Sequence, residues 1–438
     1  HGRDRRQRQM CIRDRARRFA SFLKAQDLPE KSQIAIMSAN CAWWIIADLG
    51  IWMAGHNSVP LYPDLAADTV QYILEHSESK MLVVGKLAKW KDMGQGVPDN
   101  MPTIALPICP EDRFDHKWDD IMANHEPLSD IAERDPDEMA TMVYTSGSTG
   151  RPKGVMLSFK ALQATPQATG EVVSIHENDR MLSYLPLAHV YERANIEQGS
   201  LYTGMTVYFA DSLATFQKDL QRARPTIFLS VPRLWVKFQE GVNQKMPPSK
   251  QKTLFKIPIV SGIVKKKILA QLGLDEVRFA CTASAPLSAD IIAWYKSLGL
   301  ELLEAYGMSE NFGLSHSHRP GDPAIGTVGP PGHGVEHKIA DNGEILVRSP
   351  ANMLGYYKNP EKTREDLTED GWLHTGDMSE IVGNNHLKIT GRVKELFKTS
   401  KGKYIAPAPI ENKLINHSGI EAVCVAGANR EQPYALVL

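Results

Sequence analysis

Thr145, Ser146, Gly147, Ser148, Thr149, Gly150, Arg151, Pro152, Lys153 and Gly154 run consecutively and concentrate hydroxyls, glycines and a lysine in one short stretch. Glycine without Cβ lets backbone N–H groups approach an oxygen, hydroxyls add donors and lysine adds charge, so the chemistry suggested is phosphate binding. A Walker A loop has Gly-Lys-Ser/Thr leading directly into a helix whose N-terminus faces the phosphates. Here Lys153 stands between a proline and a glycine, and apolar β-branched runs at 140–144 and 154–157 flank the stretch. They read as strands. The loop joins strand to strand, which disfavours a P-loop NTPase without disfavouring phosphate. The rival reading, a solvated Ser/Gly turn, fits poorly with so long and ordered a pattern.

Further runs carry the other groups a nucleotide needs. Tyr306, Gly307, Met308, Ser309 and Glu310 offer an aromatic face, a hydroxyl and a carboxylate, of which the last suits a hard cation. Gly-Trp-Leu-His-Thr-Gly-Asp ends at Asp377, and the run 389–411 contains Arg392 and Lys394. Taken singly, a Tyr-Gly turn beside an acid is structural and an Asp after Gly is a turn residue. Taken together, in this order and spread over more than half the chain, the four runs resemble the signatures of the adenylate-forming superfamily. That superfamily comprises acyl-CoA synthetases, the adenylation domains of peptide synthetases and beetle luciferases. The resemblance extends more loosely from about residue 16 to the end.

The resemblance implies that ATP activates a carboxylic acid, with Mg²⁺ as cofactor and CoA as co-substrate. Neutralising phosphate oxygens and orienting the α-phosphate are then the main tasks. Thr145, Ser146, Gly147, Ser148, Thr149, Gly150 and Lys153 would hold the β- and γ-phosphates, with Thr145 and Glu310 at the metal. Tyr306 would stack on adenine, Ser309 would donate to the α-phosphate in place of the commoner threonine, and Asp377 with Arg392 would hold the ribose. Glu304, Ala305, Gly307 and Met308 complete the nucleotide strand, and Ser284, Ala285 and Pro286 would line the adenine side. Lys153, His189, Ser309, Glu310 and Arg392 form the implied catalytic set.

The runs 182–194 and 231–238 resemble the long-chain acyl-CoA synthetase branch, which implies His189 near the acyl and thioester site and Trp235 as a gate to an acyl tunnel. Without the resemblance, both read as core residues. Lys394 falls at the superfamily's hinge or is a solvated linker lysine, and Gly402, Lys403 and Tyr404 lie in the loop that would approach the thiol acceptor. Relatives carry a further lysine near the end of the small domain. This sequence has none before Leu438, so it reads as a fragment lacking both ends, able to bind ATP but impaired in adenylation. The expected function is ATP-dependent ligation of a fatty acid to CoA, releasing AMP and pyrophosphate. The alternatives are transfer to a carrier-protein thiol, luciferase-like oxidation, or an inactive nucleotide-binding fragment.

The elements that must position these residues can be read from periodicity. A helix at 16–26, strand at 33–37, helix at 42–53, strand at 59–61, helix at 68–76 and strand at 81–84 imply βαβ units on a parallel sheet. The segment 95–135 reads as a surface connection. Beyond the loop, Ser158 is the expected N-cap of a helix starting at Phe159. A second series follows: strand 181–185, helix 190–202, strand 206–209, helix 213–223, strand 226–231 and helix 233–245. The segment 247–272 is helical, and Lys265, Lys266 and Lys267 make a basic face, read first as solvated and second as meeting a membrane or CoA phosphate. A strand at 277–282, a turn at 283–287, a helix at 289–297 and a strand at 301–305 deliver Tyr306. From 326 onward glycines, prolines and short strands indicate a β-rich subdomain, and 391–394 a linker into a small domain whose first helix is 407–416.

The expected fold is therefore α/β: a large N-terminal body (16–391) of two α/β subdomains plus a β-rich one, then a small, incomplete α+β C-terminal domain (392–438). The arginine-dense 1–15 reads as a disordered or non-native leader. In the 438 residues, Lys plus Arg (50) and Asp plus Glu (51) nearly cancel, so nothing asks for nucleic acid. Cys11, Cys41, Cys109, Cys281 and Cys424 lack CxxC spacing, which points to a reducing compartment without disulfides or structural zinc. No apolar run nears the roughly 20 residues of a membrane span. A cytoplasmic protein is expected, with peripheral membrane contact and oligomeric state open.

Overall fold

The main sheet grows outward from the phosphate-loop hairpin. In the computed structural model, which describes residues 2–145, 150–414, 420 and 423–438, the strand order is Gly355–Tyr356, Lys153–Ser158, Met139–Thr145, Asn57–Leu61, Gln33–Met37, Met81–Val84, Thr103–Ala105 and His116–Lys117. From Met139–Thr145 outward every pair is parallel, whereas the hairpin and Gly355–Tyr356 pair antiparallel. Parallel strands need crossovers that cover both faces, so they are apolar throughout rather than alternating. Accordingly Ile34 to Met37 and Met81 to Val84 are all buried.

Pro60 leaves a gap in the backbone hydrogen bonding between two central strands. Asn57 donates its N–H to the Ser32 carbonyl, on the side of Gln33–Met37, so by alternation residues 58 and 60 face Met139–Thr145. Proline has no N–H to give there, and pairing between the two strands is confined to Ser58 with Thr141. Thr145 ends its strand at the carboxyl ends of the parallel strands, where open sheets of this kind bind ligands.

Residues 2–15 of the stretch read as a disordered or non-native leader are continuous with the first helix, Gly2–Lys24. Arginine is a good helix former and Asp14 pairs with Arg18 one turn on, at 2.9 Å. Ala16, Phe19, Ala20 and Leu23 are buried at helical spacing, and Gly50 of helix Ala42–Met53 admits them, since a Cβ there would sit 2.7 Å from the Phe19 ring. The segment expected as a surface connection instead contributes strands Thr103–Ala105 and His116–Lys117 and helix Trp118–Asn124. Its buried Trp118 packs 5.1 Å from Phe19.

A second sheet, Ile227–Ser230, Phe279–Thr282, Leu302–Tyr306 and His316–Ser317, is parallel except at its last strand. The parallel pair Arg180–Ser183 and Thr206–Phe209 abuts it, with Thr226 N–H donating to the Arg180 carbonyl at 2.9 Å. Antiparallel strands Glu336–Ile339, Glu344–Arg348, Leu373–Val382 and His386–Arg392 form the β-rich part. Beyond it lie the short pair Phe397–Lys398 and Tyr404–Ile405, helix Pro407–Leu414 and the hairpin Val423–Ala426 with Tyr434–Val437. Among the described residues no helix is long and apolar enough to cross a membrane.

Candidate active site

Thr145 stands opposite Lys153 across the hairpin, and helix Phe159–Val172 behind it is capped by Ser158 Oγ, which accepts from Ala161 N–H at 3.1 Å. Ser146, Gly147, Ser148 and Thr149 lie outside the described residues, while Gly150 is placed with a left-handed φ of 89° that glycine tolerates. Lys153 Nζ rests 4.1 Å over the Tyr356 ring. That ring's hydroxyl reaches Glu310 Oε1 at 2.8 Å and Asp366 Oδ2 at 3.0 Å. Burial lowers the Lys153 pKa, Glu310 and Asp366 pull it back up, and Lys362 and Lys394 lower it further. Among the described residues this cation makes no direct ion pair, which leaves it able to meet a phosphate.

On the other side, Tyr306 donates its hydroxyl to Asp377 Oδ2 at 2.6 Å, and Arg392 Nε lies 3.1 Å from Asp377 Oδ1. Desolvation raises the Asp377 pKa while Tyr306 and Arg392 hold it down. Each carboxylate oxygen has a second lone pair, so Asp377 can accept from a ligand without losing these partners. Tyr306 and Glu310 are joined by a tight turn: Gly307 packs so close to Gly313 that a Cβ would lie 2.3 Å from its carbonyl oxygen. Met308 N–H is held by Asn311 Oδ1 at 2.9 Å, and Ser309 and Glu310 follow in a short 3₁₀ turn. Ser284, Ala285 and Pro286 are exposed at the end of Phe279–Thr282, where Ser284 adopts a positive φ of 75°. Ala305 and Glu304 lie on the adjacent strand. Glu304 is buried, which pushes its carboxyl up to about 7.

His189 is half-buried and N-caps the helix Val190–Glu192, its Nδ1 accepting from Tyr191 N–H at 3.1 Å. Burial lowers its pKa, so the ring is neutral and its proton resides on Nε2. The expected helix over 190–202 is present, and its middle, Arg193–Gln198, is π-helical. Arg193 is the cause, a fully buried guanidinium that must meet Glu197, Asp48, Ser58 and Thr141 at once. Trp235 is fully buried in edge contact with Phe228 and Tyr295, in an apolar cluster of the second sheet. Lys394 is exposed in a 3₁₀ turn after Arg392, and Tyr404 is exposed on the strand following Gly402 and Lys403.

The structure thus brings Lys153 and Glu310 together through Tyr356, with Thr145 opposite Lys153 on the hairpin, and Tyr306, Asp377 and Arg392 together directly. Sequence reading missed Tyr356, Asn40 and Glu192. Asn40 Nδ2 bonds Ser183 Oγ and the Leu185 carbonyl at 2.7 and 2.6 Å, and its Oδ1 accepts from Leu187 N–H at 3.1 Å. Glu192 Oε1 accepts from Ser183 Oγ and Tyr184 N–H, both at 2.8 Å. Together they fix the loop leading to His189. Only Glu192, an acid inside an apolar run, carried a signal.

Magnesium fits these residues. Among the described residues no group of three or more His, Cys, Asp or Glu side chains forms a metal cage. Mg²⁺ needs none, since it is held by one or two carboxylates together with substrate phosphates. Glu310 is such a carboxylate, and Thr145, opposite Lys153 on the hairpin, is the hydroxyl that would join it.

Such a body of two α/β sheets with a β-rich cap is the fold of adenylate-bound CoA ligases: it superposes on anthranilate CoA ligase AuaEII in complex with anthranoyl-AMP with a TM-score of 0.80, over 97% of this chain and 80% of that one, at 22% identity. Residues 12–357 match the AMP-binding enzyme family, and the chain belongs to that family. Fatty acyl-CoA synthetase B of Dictyostelium discoideum is 29% identical over 92% of this chain. The long-chain-fatty-acid–CoA ligase ACSBG2 of Xenopus laevis is 32% identical over 86% of it. The chain spans 67% and 58% of the lengths of these two relatives.

Proposed function

We propose that this chain carries the ATP-dependent activation of a long-chain fatty acid and its transfer to CoA, by way of an acyl-adenylate. The observation that carries the reading is the run 306–310. It links Asp377 at one end to Lys153 at the other through hydrogen bonds and a cation–π contact. A nucleotide laid along it meets Tyr306 and the exposed Ser284, Ala285 and Pro286 with its base, Asp377 with its ribose and Lys153 with its phosphates. The names of the relatives, fatty acyl-CoA synthetase and long-chain-fatty-acid–CoA ligase, support the acid and the acceptor.

In the first step a carboxylate oxygen attacks the α-phosphorus and the bond to the bridging oxygen of pyrophosphate breaks. Lys153 and Ser309 offset charge on the phosphates, and Arg392 reaches them by swinging off Asp377. Mg²⁺, held by Glu310 and Thr145, supplies further charge neutralisation when bound. In the second step the CoA thiolate attacks the acyl carbonyl and AMP leaves. His189, with its proton on Nε2, is suited to donate to that carbonyl oxygen rather than to act as a base. Trp235 is assigned to the acyl side. We assign 16–391 to the AMP-binding body, 392–438 to a second domain and Lys394 to the hinge between them. A cytoplasmic setting suits five free cysteines.

Binding of acyl-sulfamoyl-adenosines, non-reactive mimics of the adenylate, tests this without requiring turnover. Affinity rising steeply from acetyl to palmitoyl is expected by calorimetry. Equal affinity across the series would remove the long-chain assignment, and tighter binding of an aromatic acyl group would replace it.

A further inference from the structure

The helices Pro248–Leu254 and Val260–Leu272 meet at a tip that exposes apolar side chains. Ile257 is 43% exposed, Ile259 83% and Ile263 63%. Exposed single isoleucines are ordinary, but three at one helix junction are not. The tip is also held in an uncommon backbone: Ile259 has φ 68° and ψ −56°, a γ-turn closed by Val260 N–H to the Pro258 carbonyl at 2.7 Å. A β-branched residue is rare in that conformation, and Ile259 is the most exposed of the three isoleucines.

Charge surrounds the tip. Between Glu240 and Asp275 the sequence has no acidic residue and places lysine at 245, 250, 252, 256, 265, 266 and 267. All but Lys265 are exposed, and Lys265 lies along the Phe255 ring at 5.1 Å. Among the described residues none of these lysines makes an ion pair. On Val260–Leu272, Ile263 and Lys266 or Lys267 lie one turn apart on the exposed face, so apolar side chains lead and ammonium groups follow. The opposite face, with Ile268 and Leu272, is buried in the cluster that contains Trp235.

We propose that this tip docks on an anionic lipid surface, the isoleucines entering the headgroup boundary and the lysines meeting lipid phosphates. An apolar point on a lysine-rich stretch that contributes no acid of its own complements such a surface and is costly to leave in water. The inference is independent of the proposed catalytic chemistry.

Vesicle co-sedimentation of the whole chain tests it, using phosphatidylcholine alone and phosphatidylcholine with one third phosphatidylglycerol. Binding to the mixed vesicles only is expected, declining as sodium chloride is raised. Lys266→Gln with Lys267→Gln should lower the partition coefficient roughly thirty-fold, and Ile259→Ser with Ile263→Ser should lower it with the lysines intact. Thermal melting reports whether the variants remain folded, and the salt series on the unaltered chain decides the matter if they do not. Equal binding to both vesicles, no binding to either, or binding insensitive to salt would overturn the proposal. So would lysine variants that lose affinity for free CoA while keeping vesicle binding, which would assign the charge to CoA phosphates.

Discussion

Tyr356 spans the candidate phosphate region with its two chemically distinct parts, the ring face under Lys153 and the hydroxyl against Glu310 and Asp366. Removing only the hydroxyl therefore separates the roles. Tyr356→Phe should keep the lysine seated and release Glu310, slowing adenylate formation roughly 10- to 100-fold, the range for a buried hydrogen bond to a charged group. Single-turnover rates titrated with magnesium should show the loss partly recovered at high metal, with AMP affinity unchanged. Asp377→Ala should do the reverse. Calorimetry should show AMP binding weakened roughly 10- to 100-fold, whereas magnesium dependence stays as it was. Tyr356 was not legible in the sequence because nothing in a Gly-Tyr-Tyr run announces which carboxylate folds against it. Asp377 was legible because it ends an ordered signature.

At the scale of elements, the turn carrying His189 is governed by a buried acid. Glu192 is fully enclosed, and burial pushes its carboxyl from the ordinary 4.5 up to about 8. The folded chain keeps a proton there that the unfolded chain releases above its ordinary range, so this contribution to stability is complete at low pH and is lost as pH rises through about 8. Glu304, raised to about 7, acts in the same direction. His316 and His318, lowered to about 3 and 4 chiefly by burial, act oppositely and remove stability as pH falls below their ordinary range. Glu192→Gln keeps an acceptor for Ser183 and Tyr184 but cannot ionise. Between pH 6 and pH 8, melting temperature should fall by a few degrees less in this variant than in the parent. Equal slopes would show that Glu192 is charged in the fold.

Most elements were readable because periodicity reports burial. Gln33–Met37, Ala42–Met53 and Thr206–Phe209 fall where the pattern put them. The π segment was not readable, because Arg193 looks like any surface arginine until Asp48, Ser58 and Thr141 close around it. The edge strands within 95–135 are too short to show a period of their own.

For the whole molecule, the order of signatures along the chain gave the superfamily and hence the body of two sheets and a β-rich cap. It could not show that Pro60 interrupts the hydrogen bonding to the strand that ends at Thr145, or that a helical tip exposes three isoleucines. Both depend on which side a backbone group or side chain faces once distant strands are paired. The central claim is spatial: one nucleotide touches both the Tyr306–Asp377–Arg392 group and the Lys153–Tyr356–Glu310 group. A crystal structure of the chain with palmitoyl-sulfamoyl-adenosine measures this directly. The expected result has ribose hydroxyls within hydrogen-bonding distance of Asp377, adenine against Ser284, Ala285 and Pro286, and the sulfamoyl group directed toward Ser309 and Lys153. A ligand bound elsewhere, with the Tyr306–Asp377 and Tyr356–Glu310 bonds intact and the space between them empty, would contradict it.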